Sequence, residues 1–180
     1  MPTDPLAVVN RQFQDIINAN RPDLAEEVFH PQLIVERAGI QNTVRYLAGR
    51  NPSPVGGPGG PGGPAGPPTD PIEGFKFGQS TIAAAFPDMR VEVVSQVVQG
   101  DQVVSRVRVT GTHEGDFFGL PATHRKVEFD EVLFMTVTEG KVSRVWGLGD
   151  DFAFLEQLGV LPGPENPSRP AALGDEGAPA

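Results

Sequence analysis

The chain contains no cysteine among its 180 residues. That excludes disulfides, a thiolate nucleophile and any cysteine-ligated metal. Histidine is nearly as scarce. His30, His113 and His124 are scattered and lack the close spacing of metal ligands, so no metal is expected. Basic residues are few as well: 14 Lys and Arg stand against 23 Asp and Glu, a formal net charge of -9. A nucleic acid needs a basic patch that releases its counterions, so it is not an expected partner, and neither is an anionic membrane surface. No stretch approaches the roughly 18 apolar residues of a membrane span. The opening, Met1-Pro2-Thr3-Asp4-Pro5, has no basic segment followed by an apolar run, so no signal peptide is expected. A soluble cytoplasmic protein is the resulting expectation.

Glycine and proline, by contrast, are plentiful and unevenly placed. Of the 18 residues from 52 to 69, 14 are one or the other. Gly57 to Pro68 reads as four Gly-X-Y triplets. A collagen-like helix needs three chains with Gly at the axis throughout, and four triplets are few for that. The stretch reads instead as a flexible or polyproline-II-like loop inserted into a domain. One domain is expected over residues 1–162, with 51–70 as the insertion. Residues 163–180 are expected to form a disordered tail.

Around the insertion the periodicity is clear. Leu6, Val9, Phe13, Ile16 and Ile17 recur at helical spacing, predicting a helix over 5–20 with Asp4 as N-cap and Pro5 in the first position. A short helix over 23–29 is expected to stop before Pro31, followed by a short strand at 33–35. A third helix runs from about Ile72 to Phe86. From Val91 the pattern turns to strands: 91–98, 103–112, 127–138 and 141–148, with turns at Gly100-Asp101 and Glu139-Gly140. A last helix, 152–158, ends at Gly159. Helices first and a strand meander last predict an α+β fold, with helices packed on one face of a bent antiparallel sheet. Strand 127–138 is apolar on both faces. One face is expected to line a pocket, and the outer one to be covered by a second copy of the chain, giving a homodimer.

Four segments carry a resemblance. Residues 85–91 (AFPDMRV), 111–121 (GTHEGDFFGLP), the hairpin from Glu139-Gly140-Lys141-Val142 to Val145-Trp146, and Gln157-Leu158-Gly159 resemble successive motifs of the SnoaL-like polyketide cyclases, within the NTF2-like superfamily. The resemblance runs from about residue 5 to 162. It implies a cone-shaped fold whose curved sheet encloses an apolar pocket. It also implies ring closure within a polyketide-like small molecule, with no metal or organic cofactor. In that family an Asp after the Trp acts as acid/base and a His on the neighbouring strand assists. Here those positions are Gly147 and Leu133, so these roles are not carried over.

Other residues must then do the chemistry. A three-residue hairpin loop at Thr138-Glu139-Gly140 would place Glu131 opposite Gly147, among apolar neighbours. Glu131 is thus the leading candidate for acid/base work, with Gly147 leaving it room. Its alternative is a strand-edge carboxylate, solvated or paired with an arginine. His113 sits where the family motif has its His, as an assisting group or as a pin for the loop. Asp150 and Asp151 could reach the pocket mouth or cap the last helix. Tyr46 could donate to a substrate oxygen. Phe86, Phe118, Phe129, Leu133, Met135 and Trp146 are the candidate substrate-binding residues, with Trp146 also suited to packing. Arg106 and Arg108 are expected to face solvent or a partner subunit, and His30 and His124 to be structural or exposed. Three functions stay open: a cyclase with acid/base residues that opens an epoxide or closes a ring by addition, a cyclase that preorganises a polyene for cycloaddition, and a non-catalytic binder.

Overall fold

The computed structural model describes residues 4–37, 39, 43 and 69–161. Tyr46, most of the 51–70 insertion and the 163–180 tail lie outside the described residues. No helix among the described residues is long and apolar enough to cross a membrane.

The helix expected over 5–20 divides in two. Helix α1 (Pro5–Arg11) starts at Asp4, whose carboxylate accepts from the Leu6 amide at 3.1 Å. It then widens into a π-helix at Gln12–Asn18. Asn18 ends it by exchanging two 2.8 Å hydrogen bonds with the Val91 backbone, which ties the helix to the sheet. A 3₁₀ turn (Pro22–Leu24) and α2 (Ala25–Val28) follow. Strand β1 (Phe29–Glu36) is longer than expected and continues past Pro31, with its pairing to β5 irregular between Phe29 and Ile34. It can do so because it is an edge strand, where a missing N–H leaves no ladder bond unmade. Helix α3 (Pro71–Ala85) is capped by Asp70, which accepts from the Ile72 and Glu73 amides at 2.9 Å.

Strands β2 (Arg90–Gln99), β3 (Gln102–Thr112), β4 (Lys126–Thr138) and β5 (Lys141–Gly149) form the expected antiparallel meander. The sheet order is β1-β5-β4-β3-β2, with β1 added parallel to β5. That parallel edge makes the sheet mixed rather than purely antiparallel. Helix α4 (Asp151–Gln157) is the last element among the described residues and is capped by Asp150.

The β4–β5 hairpin corrects the expected register. Glu139 and Gly140 both have positive φ, 52° and 75°, and form a two-residue turn that pairs Thr138 with Lys141. Such turns match the right-handed strand twist. A bulge between Thr136 and Val137 then slides the pairing by one more residue. Glu131 therefore lies opposite Gly149, and Leu133 opposite Gly147. The total slide is two residues, so every side chain keeps its expected face while its neighbour changes.

Val91, Val103, Val107, Val109, Leu133, Met135 and Val145 point inward and meet Val9, Phe13 and Ile16 from the N-terminal helices in one core. Phe86, Phe117, Val127, Phe154 and Leu158 form a second, aromatic cluster at the α4 end. The outer face is different. Phe134 and Trp146 stack edge-on at 5.4 Å yet stay 48% and 40% exposed. Ile34 and Leu148 beside them are each 53% exposed.

Candidate active site

A cavity of about 140 Å³ lies between the inner face of the sheet and the helices. Its walls are mostly apolar, with Phe13, Phe75, Phe86, Phe129, Leu133 and Phe154 among them. The π-helix turns Gln12, Phe13 and Ile17 toward it. Insertions of this kind recur at functional sites because the extra residue re-aims the side chains after it.

Against this lining stand two charged side chains, Arg37 and Glu131. The Arg37 Nη2 donates to Glu131 Oε1. Glu131 is only 7% exposed. A carboxylate so placed needs a partner, since an unpaired charge in apolar surroundings is costly. Glu131 thus has the apolar surroundings expected of it together with the arginine partner of the alternative reading. Its neighbour across the strands is Gly149, not Gly147. A Cβ on Gly149 would lie 3.4 Å from Glu131 Oε1.

Gly147 makes room for other groups. A Cβ there would lie 2.5 Å from Leu133 Cδ2 and 3.4 Å from Arg37 Nε. The two positions at which the sequence departs from the resembling family therefore face each other across β4 and β5. Leucine fills one and glycine yields to it, with the arginine arm laid over the gap. Arg37 reaches this point because β1 runs parallel to β5, with Val35 beside Val145 and Glu36 beside Trp146. Alternation turns Val35 and Arg37 inward and Glu36 outward, where it binds Arg144.

Asp151, at the start of α4, lies outside the cavity wall but interacts electrostatically with Arg37. Burial raises its carboxyl above the ordinary carboxylate range, while a 3.3 Å hydrogen bond from the Thr43 hydroxyl and the charge of Arg37 pull the other way. Burial likewise lowers the Arg37 guanidinium, and Asp151 opposes that shift.

Other candidates sit elsewhere. His113 is fully buried but outside the cavity wall. Its ring stacks on Phe86 at 5.0 Å, and its Nδ1 accepts from the Thr123 amide at 3.2 Å. It pins the loop between β3 and β4, and burial pulls its pKa below the ordinary imidazole value. Asp150 accepts from the Ala153 amide at 3.0 Å, which makes it a helix cap rather than a group at the cavity. Trp146 points to the outer face, because Val145 and Gly147 on either side point in. Met135 shares the inward row but is enclosed by the main core, and Phe118 packs on Phe117 at 4.9 Å behind the wall. Phe86, Phe129 and Leu133 do line the cavity. Tyr46 lies outside the described residues.

Among the described residues, three buried side-chain atoms have no hydrogen-bond partner: Gln12 Oε1, Arg37 Nε and His113 Nε2. The first two belong to cavity-lining residues, one an acceptor and one a donor. No group of three or more acidic or histidine side chains among the described residues is placed to hold a metal.

A family model described as SnoaL-like polyketide cyclase matches residues 63–158, just over half of the chain. Among solved structures, IdmH from Streptomyces antibioticus, a proposed polyketide cyclase, is 27% identical with a TM-score of 0.64. The alignment covers 87% of this chain and 99% of that one. A proposed SnoaL-like polyketide cyclase from Jannaschia sp. CCS1 is 20% identical with a TM-score of 0.66, covering 90% and 97%. AclR from Streptomyces galilaeus, a proposed hydroxylase, is 21% identical with a TM-score of 0.64, covering 88% and 87%. The last two share the fold alone. No curated protein matches the chain.

Proposed function

Since this chain belongs to the SnoaL-like polyketide cyclase family, we propose that it closes a ring within a polyketide-type small molecule held in the cavity. The scheme uses no metal or organic cofactor. The observation that carries it is the convergence of Arg37 and Glu131 in an otherwise largely apolar chamber. Arg37 occupies one carboxylate oxygen of Glu131, and the second can accept a proton. Glu131 would take a proton from a carbon beside a substrate carbonyl. That carbon would attack an electrophilic carbon of the same molecule, and the proton would return to the oxygen that becomes anionic. Product and substrate are then isomers. A cavity near 140 Å³ accommodates about one aromatic ring, as dry cavities of roughly that size do, so the reacting segment rather than a whole polyketide would be enclosed.

A second reading has its own support. Leu133 and Gly147 replace the polar pair of the resembling family, and the remaining wall is dominated by Phe, Val and Ile. Such a chamber suits a cyclase that folds a polyene into a reactive shape, where proximity alone supplies several kcal/mol, roughly 7–11 at best. Glu131→Gln separates the two: turnover of a linear precursor should fall at least about tenfold if the carboxylate moves protons. Near-normal turnover would remove the acid/base scheme.

The outer face supports a homodimer. Phe134, Trp146, Leu148 and Ile34 form an exposed apolar strip on adjacent strands, of the kind that a second copy would cover.

A further inference from the structure

We infer that Gln79 recognises a hydroxyl of the substrate and so sets which carbon comes to lie before Glu131. The inference rests on the cavity being the substrate site. One stripe of α3 faces that cavity. Phe75, Gln79, Ile82 and the C-cap Phe86 recur at intervals of four, three and four residues, and all of them line it. At 1.5 Å per residue the stripe is about 16 Å long. Aromatic contacts fix its ends: Phe75 packs on Phe29 of β1 at 4.4 Å, and Phe86 on Phe154 of α4 at 5.9 Å. Gln79 is the polar member of this row. An apolar side chain would fill the same place without desolvating an amide, so packing alone does not account for glutamine there.

The amide is within reach of a ligand. Gln79 is only 6% exposed and lines the cavity, so the surface it keeps opens there. Its side chain hydrogen-bonds to no other described residue, yet neither amide atom is among the fully enclosed ones that lack a partner. Both atoms therefore retain accessible surface. Gln12, a second cavity-lining amide, differs in this respect, because its Oε1 is fully enclosed. The chemistry of the Gln79 amide then selects the group it meets. Oε1 accepts and Nε2 donates, so the amide can take the O–H or the lone pairs of an alcohol, phenol or enol. It carries no charge to offset a buried carboxylate. Glu131 reaches the cavity from the sheet and Gln79 from the helix above it. A substrate held by its hydroxyl at α3 has its position along the chamber fixed, and that position decides which of its carbons the carboxylate can reach.

The test titrates phenol and toluene, which differ by a hydroxyl in place of a methyl, into the wild-type protein, Q79M and Q79L. Methionine keeps the length and helix preference of glutamine and loses the amide; leucine is a second apolar replacement with a different shape. Phenol should bind about tenfold weaker to both variants, and toluene within about threefold of wild type. The melting temperature of Q79M should equal or exceed that of the wild type, because an amide leaves an apolar wall. Equal phenol affinity in all three proteins would overturn the inference while leaving the cavity as a binding site. Parallel loss of phenol and toluene, or a melting temperature several degrees lower in both variants, would also overturn it, by making Gln79 a structural residue. If neither phenol nor toluene binds the wild-type protein, the cavity is not the substrate site, and the proposed function falls together with this inference.

Discussion

Asp130 and Glu131 are adjacent on β4, and each is paired with arginine, but on opposite faces of the sheet. Asp130 lies on the outer face, where Arg106 Nε donates to it at 2.9 Å and Arg108 Nε at 3.2 Å. These hydrogen bonds, Arg106 first, hold its carboxyl below the ordinary range. Water reaches all three groups. Glu131 faces the cavity, with one arginine and little water. The two pairs have the same chemistry and differ in dielectric. An exposed pair trades protein contacts for water contacts and contributes little. An enclosed pair rehydrates only in part when one partner is lost, so it is both costly to break and able to act on a bound molecule.

The largest expected effect breaks the inner pair. Glu131→Ala leaves the Arg37 guanidinium without its partner and should cost about 3 kcal/mol in urea unfolding, the low end for an enclosed pair because Arg37 keeps some solvent contact. R37M/E131M should recover most of that loss, and Asp130→Ala should cost far less than Glu131→Ala. Equal losses from Asp130→Ala and Glu131→Ala would erase the distinction between the faces. Gly147→Ala comes next. Its methyl would press on Leu133, which is enclosed by the core and cannot swing aside freely, so a loss of about 1–2 kcal/mol is expected in urea unfolding.

A smaller effect concerns His113. Its folded pKa is depressed by burial, so below the ordinary value of 6.5 the unfolded chain binds the proton more readily. Stability should therefore be flat above that pH and fall as pH drops through the window beneath it. His113→Gln should flatten that slope whatever its absolute stability. The smallest change in protomer stability is expected on the outer face. Trp146→Glu should leave the melting temperature within a few degrees, yet halve the mass seen by light scattering if the apolar strip holds two copies together.

Much of this arrangement is legible in the sequence. Alternation along 127–138 fixes which side chains face inward, and N-cap chemistry marks Asp4 and Asp150. What it does not reveal is pairing between distant strands. A two-residue turn and one bulge move Glu131 from Gly147 to Gly149, and no local pattern announces that slide. Arg37 is invisible for the same reason, since only the parallel pairing of β1 with β5 brings it to the cavity. One signal did exist. An acidic residue in an apolar row calls for a cation, and Leu33, Val35 and Arg37 share the period of a strand whose inward face ends in one. For His113 and Trp146 the sequence left chemistry and packing open, and the structure gives packing at both.

The central claim is that the inner pair, and not the outer one, serves the reaction. Its most direct measurement is the product formed in a strain lacking this gene when Glu131→Gln or Asp130→Asn is supplied at matched soluble levels. Asp130→Asn should restore the ring-closed product fully, while Glu131→Gln should leave the linear isomer accumulating. Equal restoration by both variants would contradict the account.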